Sequence, residues 1–426
     1  WTIGLISKAT AEVNKNFKFT AGIDWRTAEI EHYREVRDLL GGDYYLDLDR
    51  SGNPLSDFWT MEDAKRRLGD RINYDFTNNV NWIGFFGQGE YIKEGVSLYG
   101  MAGYSQIRYR HTNRFIDDGT GNPLVVESDW ISGFQVKGGA SYMLTGNLQA
   151  YANLGWVSKV PIFDNVINDR TGSKATNPKN EKFASYEAGL NFWSNNGKFM
   201  AKVNFYYTTW KDRANSRNVT NADGTEGLIF ITGMNSLHEG LEIETAFQPN
   251  RFFRFDGSAS IANWKYTDDV KGIYKDYSAG DAQDVEYNFY VKDLKVGDAP
   301  QTQFALAGTV YPVTGFQTRV EVRHYRDHYS NWDPFSRTNP EDRVQGWKVP
   351  NYTVVDLHAQ YYLPFNFGRF RPQIFLHVFN LLDETYIQDS TDNSRFNAWD
   401  KDHDADDAEV FFGLPRFWNL GLKLDF

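Results

Sequence analysis

Hydrophobic and polar residues alternate one for one over long stretches of this chain. The last stretch is the cleanest. Trp418, Leu420, Leu422, Leu424 and Phe426 fall on one parity, and Asn419, Gly421, Lys423 and Asp425 on the other. A period of two predicts a β-strand with one apolar and one polar face. The same pattern sets Phe17, Phe19, Ala21, Ile23 and Trp25 against Lys18, Thr20, Asp24 and Arg26. Leu148, Leu154 and Trp156 oppose Gln149, Tyr151 and Asn153, and Phe199, Val203, Phe205 and Tyr207 oppose Lys198, Lys202 and Asn204. Phe316, Val320 and Val322 oppose Gln317, Arg319, Glu321 and Arg323, and Val355, Leu357 and Tyr361 oppose Asp356, His358 and Gln360. The polar face therefore carries both signs of charge. In the filled interior of a small barrel such groups would be desolvated at prohibitive cost. A wide, wet lumen accommodates them, with lipid on the apolar face.

The connections between these stretches alternate in length. Short ones fall at Asn14-Lys15-Asn16, Lys93-Glu94-Gly95, Thr145-Gly146-Asn147, Asn195-Asn196-Gly197, Pro249-Asn250-Arg251, Val313-Thr314-Gly315 and Phe365-Asn366-Phe367-Gly368. Most contain Gly or Asn, which tolerate the positive φ of tight hairpins. Between them lie long polar segments at 36–70, 112–128, 159–182, 213–226, 267–298, 331–350 and 382–413. This predicts an all-β, antiparallel up-and-down transmembrane barrel of about 15 strands, with short turns on the periplasmic side and long loops outside. An odd number cannot close as a single-chain bacterial barrel. An open edge in lipid would leave backbone groups unpaired. The expectation is an odd number of further strands on the N-terminal side. No signal-like segment precedes the first strand, so any export signal is expected outside this sequence.

Composition narrows the class. Aromatics make up 16% of the chain, with 32 Phe, 25 Tyr and 13 Trp, which suits the two aromatic girdles of a membrane barrel. No apolar run approaches the roughly 18 residues of a membrane helix. The formal net charge of −11 argues against a nucleic-acid partner. There is no cysteine, which removes disulfides, thiolate catalysis and cysteine-bound metals.

Several segments then resemble the C-terminal barrel of TonB-dependent outer-membrane receptors. Asn177-Pro178, Glu181 and Ser185-Tyr186-Glu187-Ala188-Gly189 resemble the family's Asn-Pro…Pro-Glu…Ser-x-x-x-Glu-x-Gly stretch, with Asn180-Glu181 in place of Pro-Glu. Phe205-Tyr206-Tyr207 with Lys211-Asp212-Arg213, and Glu239-Gly240-Leu241-Glu242-Ile243-Glu244, are similar to the strands that follow. Pro350 to Asp356, Val378 to Tyr386, and Gly413-Leu414-Pro415-Arg416 are similar to its last hairpin and final strand. Residues 1–176 match in architecture alone. The family's barrel has 22 strands, so the resemblance implies that this chain is a partial barrel domain. The first strands and the plug domain would lie outside it, together with the segment that contacts the inner-membrane energy-transducing protein TonB. The implied function is a receptor in the outer membrane of a Gram-negative bacterium. It would bind an iron chelate, a cobalamin-like cofactor or a glycan at its outer loops and import it with TonB energy, with no enzymatic activity and no cofactor. A passive porin is the alternative, followed by an outer-membrane hydrolase. Asn419, Gly421, Leu424 and Phe426 resemble the C-terminal signal read by the barrel-insertion machinery.

Candidate site residues follow from position. Trp59, Trp332, Phe335, Trp347, Phe396 and Trp399 are loop aromatics able to stack on a ligand. Arg26, Lys137, Glu242, Glu244, Arg319, Arg323, Asp356 and His358 have lumen parity, as has Glu321. They are expected to line a passage or hold a plug by salt bridges. His324 and His328 stand roughly 13 Å apart on a strand, too far for one metal, and read as rim residues. His358 and His377 read as hydrogen-bonded wall residues. Asp400, Asp402, His403, Asp404, Asp406, Asp407 and Glu409 form an acidic loop whose spacing departs from a calcium loop, with Ala405 for the glycine and Phe411 for the closing carboxylate. Asp47, Asp49, Ser51, Gly52 and Asn53 begin such a loop, but Phe58 does not close it. No metal is expected, and no catalytic cluster is evident at a recognisable spacing.

Overall fold

The computed structural model describes residues 1–49, 51–169, 172–175, 178–220, 226–276, 283–297, 299–394 and 402–425. Most of the strands lie in one sheet of eighteen. Fifteen of these are staves, each antiparallel to the next in chain order. They are β1 (Thr2–Asn14), β2 (Phe17–Glu35), β3 (Arg71–Lys93), β4 (Val96–Asp117), β5 (Ile131–Thr145), β6 (Leu148–Lys159), β7 (Glu181–Trp193) and β8 (Phe199–Thr220). Then come β9 (Glu226–Phe247), β10 (Phe253–Tyr266), β11 (Thr302–Val310), β12 (Phe316–Arg326), β13 (Tyr352–Tyr362), β14 (Arg371–Phe379) and β15 (Phe417–Asp425). This is the expected meander, a transmembrane-type all-β wall. Among the described residues β1 pairs with β2 alone and β15 with β14 alone. Among the described residues no helix is long and apolar enough to cross a membrane, which says nothing of crossing by strands.

Register keeps the two faces separate, because a one-residue slip would move every side chain to the other face. Phe205 lies opposite Ala188 and Leu241, and Leu357 opposite Val320 and Val378. On the other face Asn204 lies opposite Gly189 and Glu242. The apolar face is bare: Phe205 is 50% exposed, Leu306 63% and Leu422 64%. A continuous sheet of such residues needs lipid to cover it. Tight turns join the staves at one end. At Glu94-Gly95 both φ values are positive, 46° and 83°, which is the requirement of a type I′ hairpin.

The other end departs from expectation in detail. Segments 112–128 and 213–226 were expected to be loops, yet β4 runs on to Asp117 and pairs with Pro123–Glu127. Likewise β8 runs to Thr220 and β9 starts at Glu226. These extensions stand beyond the lipid-facing zone, so neither side is held to lipid or lumen and the period of two disappears from the sequence while the ladder continues. Segment 267–298 folds into a hairpin of Val270–Asp276 and Gln283–Phe289 laid against the end of β9. Segments 331–350 and 382–413 meet in a small sheet, where Asn331–Trp332 pairs with Ile387–Asp392 and that strand with Glu409–Phe412.

On the polar face, aromatic rings lie flat over glycines of the neighbouring stave. Tyr206 covers Gly240, where an added Cβ would meet ring atoms at 2.6–2.9 Å, and Phe375 covers Gly421, where it would meet them at 2.2 Å. This is the ring-over-glycine device that pins register in curved sheets. Gly421→Val will therefore destabilise the refolded protein by about 1–3 kcal/mol through overpacking, and Phe375→Ala in the same chain will recover part of the loss. Denaturant unfolding in detergent checks both. An unchanged midpoint for Gly421→Val would mean that Gly421 has no packing role.

Candidate functional site

The outer rim is locked by residues of the last hairpin. Asp356, 3% exposed, accepts the Asn380 backbone N–H at 2.9 Å and pairs with Arg323. Asn380 sits at φ 48°. Its amide donates to the carbonyls of Glu384 at 2.8 Å and Leu414 at 3.1 Å. Asp383 accepts the Arg416 N–H at 2.8 Å. Tyr386 stacks on Tyr352 with centroids 4.5 Å apart and covers Gly413. Asp356, Asn380 and Asp383 thus satisfy backbone groups where the strands leave the apolar zone and the ladder stops.

The charges of the inner face pair within the wall. Arg319 reaches Asp256 at 2.7 Å and Glu321 at 3.0 Å, and Arg254 reaches Asp256 at 2.8 Å. Arg323 bridges Asp356 and Glu321. Glu244 pairs with Lys202 at 3.2 Å, Glu242 accepts from Asn204 at 3.1 Å, and Arg26 pairs with Asp24 at 2.8 Å. Lys137 is exposed on the same face. His358 and His377 share a hydrogen bond between their Nδ1 atoms at 2.8 Å, as expected of wall residues.

Higher on the inner face runs an aromatic row that the sequence reading did not single out. Phe183 on β7 meets Trp210 on β8 at 4.6 Å, Trp210 meets His238 on β9 at 6.4 Å, and His238 meets Trp264 on β10 at 5.7 Å. Trp264 Nε1 donates to the Tyr206 hydroxyl at 2.8 Å, and the Arg213 guanidinium lies 4.6 Å over the Trp210 ring. The signal was present in the sequence, since all four rings share the lumen parity of Glu187, Asn204, Glu242 and Ser258. Trp264 packs against a core of Ile229, Ile231, Met234, Tyr266, Phe289 and Trp332. The row is therefore anchored to folded outer loops.

A buried polar knot joins two of those loops. Arg337, with no exposed surface, donates to Asp342 at 3.2 Å, to the Val344 carbonyl at 2.8 Å and to Asp392 at 3.0 Å. His403 lies between the same carboxylates, with Nδ1 2.5 Å from Asp392 and Nε2 2.9 Å from Asp342. Burial pushes the His403 pKa down. The hydrogen bonds and charge of Asp392 and Asp342 outweigh it against the opposing Arg337 cation, so the pKa stands above its usual value. Nothing in the sequence marked Arg337 as buried, because an arginine in a polar loop reads as a solvated one.

The loop aromatics divide. Trp59 packs edge-on to Phe115 at 4.6 Å beneath the Arg66 guanidinium. Trp332, 7% exposed, is closed in by Tyr266 and Phe289, which leaves little of its ring for a ligand. Phe335 lies in the turn Pro334–Ser336. Trp347 is half-buried, and its N–H donates to Asp392 at 2.9 Å. Phe396 and Trp399 lie outside the described residues, as do Asp400 and Phe426. Asn419 and Gly421 take the inner face of β15 and Leu424 the outer. His324 hydrogen-bonds Thr353 at 2.8 Å, and His328 is buried. Asp402, Asp404, Asp406 and Asp407 bring carboxylates within 4.8 Å of one another, three of them exposed, as in a solvated acidic turn.

The fold is shared with solved import receptors and a transporter. The ferric-catecholate import receptor Fiu from E. coli K12 in its closed form is 15% identical with a TM-score of 0.59, covering 100% of this chain and 55% of its own. The siderophore receptor PiuA from Acinetobacter baumannii is 13% identical with a TM-score of 0.61, covering 99% and 55%. The copper transporter OprC is 17% identical with a TM-score of 0.62, covering 100% and 56%. This chain thus spans about half the length of the structures it matches. No curated protein matches it. The family model described as TonB dependent receptor-like, beta-barrel matches residues 5–381, and with that match, over a wall of this topology, the chain belongs to the TonB-dependent receptor β-barrel family.

Proposed function

We propose that this chain is the wall of an outer-membrane receptor in a Gram-negative bacterium that imports a scarce nutrient with energy from TonB. The observation that carries the reading is the inner face: polar and aromatic, beneath outer loops that hold their own cores, in a chain of this family. The nutrient classes are those set out above, an iron chelate, a cobalamin-like cofactor or a glycan. The likeness to a ferric-catecholate import receptor, a siderophore receptor and a copper transporter supports a metal or its chelate first. In this reading a plug domain faces Arg26, Lys137, Glu242, Glu244, Arg319, Arg323, Asp356 and His358. The ligand meets the Trp210–His238 row with Trp59, Phe335, Trp347, Phe396 and Trp399. Asn419, Gly421, Leu424 and Phe426 serve the insertion machinery.

Uptake tests the proposal. Cells with the gene disrupted will lose uptake of one class among ferric catecholates, ferric citrate, cobalamin and maltooligosaccharides, and loss of TonB will abolish the same uptake. Uptake that needs the gene but not TonB would make the protein a passive channel. An epitope placed at Asn196 will be hidden on intact cells, while one at Asp118 will be reached by antibody. The reverse result would invert the wall.

A further inference from the structure

The inner face of β13 and β14 brings two like groups together. His358 and His377 are directly opposed across the ladder, and their Nδ1 atoms stand 2.8 Å apart. Their neighbours on the same face match a donor to an acceptor of a different kind. The Gln373 amide nitrogen donates to the Gln360 side-chain carbonyl at 3.1 Å, and the Asn380 backbone N–H donates to Asp356 at 2.9 Å. The two imidazoles share a hydrogen bond only as different tautomers, one Nδ1 protonated and the other bare. A neutral imidazole nitrogen is also the commonest protein ligand for a metal ion.

The separation selects a class of metal. At a metal–nitrogen distance of about 2.0 Å, ligands at right angles stand about 2.8 Å apart and tetrahedral ones about 3.3 Å. The pair thus has the spacing of adjacent ligands on a square-planar or tetragonal ion, the preference of Cu(II) and Ni(II). The ring centroids are 4.9 Å apart and the ring planes cross at 62°. Histidine χ2 lies in a broad well, so a modest rotation turns both lone pairs onto one ion between the rings. The ring that carried its proton on Nδ1 moves it to Nε2 as it binds, and no proton is lost.

The surroundings agree. Phe375 and Phe379 flank His377 at 5.4 and 6.1 Å, and Phe379 meets His358 edge-on at 5.5 Å. The donor set at the pair is nitrogen, which disfavours Ca²⁺ and Mg²⁺. Arg319, opposite His358, is engaged by Asp256 at 2.7 Å and Glu321 at 3.0 Å, so its charge does not stand uncompensated beside the site. Among the divalent ions that suit imidazole, affinity peaks at copper.

We propose that His358 and His377 bind one late first-row transition-metal ion on the lumen wall, Cu(II) ahead of Ni(II) and Zn(II), with lumen water filling the other positions. The proposal rests on the lumen assignment of this face, and it holds whichever nutrient the receptor imports.

The test uses the untagged full-length protein in neutral detergent, stripped with EDTA and titrated with Cu²⁺ against a competing chelator. Equilibrium dialysis counts bound copper, and pulsed electron paramagnetic resonance counts the imidazoles on the ion through their remote nitrogens. The unaltered protein is expected to hold copper with two imidazoles in the spectrum, and excess Mg²⁺ will not displace it. His358→Asn and His377→Asn will each weaken the site by about tenfold or more, since loss of an outer-shell partner alone costs that much, and each will remove one imidazole. Asparagine keeps a hydrogen bond to the remaining ring, which preserves the wall while removing the ligand. His32→Asn, on β2, will change neither readout. Heat-modified gel mobility confirms that each variant is folded. If one variant misfolds, the other still decides, together with the imidazole count in the unaltered protein. Folded asparagine variants with unchanged affinity and imidazole count, or copper without two imidazoles in the unaltered protein, would overturn the site. A wrong lumen assignment shows separately, as a penalty for Gln360→Arg equal to that for Leu357→Arg.

Discussion

Arg337→Ala will unfasten the two outer loops at 327–351 and 380–416 without dismantling the wall. The guanidinium has no exposed surface and satisfies Asp342, Asp392 and the Val344 carbonyl at once. Truncation leaves Asp392, itself without exposed surface, with His403 and the Trp347 backbone N–H as its partners among the described residues. Removing one partner of a buried ion pair costs about 3–5 kcal/mol. Here the loss falls on loop opening, because the knot lies beyond the staves. Hydrogen exchange of amides 387–394 and 402–408 will accelerate by about two to three orders of magnitude, while stave amides exchange as before.

The variant will also depend more steeply on pH. His403 has a folded pKa above its usual 6.5, so its protonated form stabilises the knot below that value. This contribution is lost as pH rises through the folded pKa. With the opposing Arg337 cation gone, the folded pKa rises further and the imidazolium becomes the sole cation between two carboxylates. Loop protection in Arg337→Ala will therefore be greatest in mild acid and fall with rising pH, more steeply than in the unaltered protein. Equal protection across pH 5 to 9 would show that His403 does not titrate in this contact.

The second large effect lies in the wall. Leu357→Arg will destabilise the protein by about 2–4 kcal/mol if placed near the bilayer midplane. Leu357 faces outward between Val320 and Val378, so a guanidinium there is surrounded by lipid. Gln360→Arg, three residues along, faces inward beside Gln317 and Gln373 and will cost much less, because the lumen is wet. Urea unfolding in lipid vesicles measures both. Similar penalties would mean that the face assignment of β13 is wrong.

What the sequence revealed and what it concealed divide along the membrane boundary. Inside the bilayer zone each residue has one of two solvents, so Leu357 and His358 announce their faces by type alone. Short turns such as Glu94-Gly95 announce themselves through the φ values they need. Outside that zone neither face of a strand meets lipid. The extension of β8 through Asn215-Ser216-Arg217-Asn218 therefore has no alternation to read, although its ladder is intact. Long-range polar partners are harder still. Arg337 and His403 are 66 residues apart, and no local pattern tells a buried arginine from a solvated one. Among the ligand candidates, Trp332 has an aromatic's composition signal but a core residue's position. Trp210 and His238 carry inward parity yet sit in strands, where the reading looked for wall rather than site.

The self-pairing of the inner wall has a mechanical meaning. Arg254, Arg319, Arg323, Asp256, Glu321 and Asp356 neutralise one another along the staves, and rings such as Tyr206 and Phe375 lie flat over glycines. A lumen lined this way behaves like a bearing surface. A body moving through it meets few unsatisfied charges to grip and few side chains to climb over. Its contacts are many weak hydrogen bonds, each re-formed with water as it breaks, rather than a few strong ion pairs whose rupture would strand a charge. Motion along such a surface is resisted by small, repeated barriers, and in the function proposed above a modest pull would displace a plug and leave the wall itself unchanged.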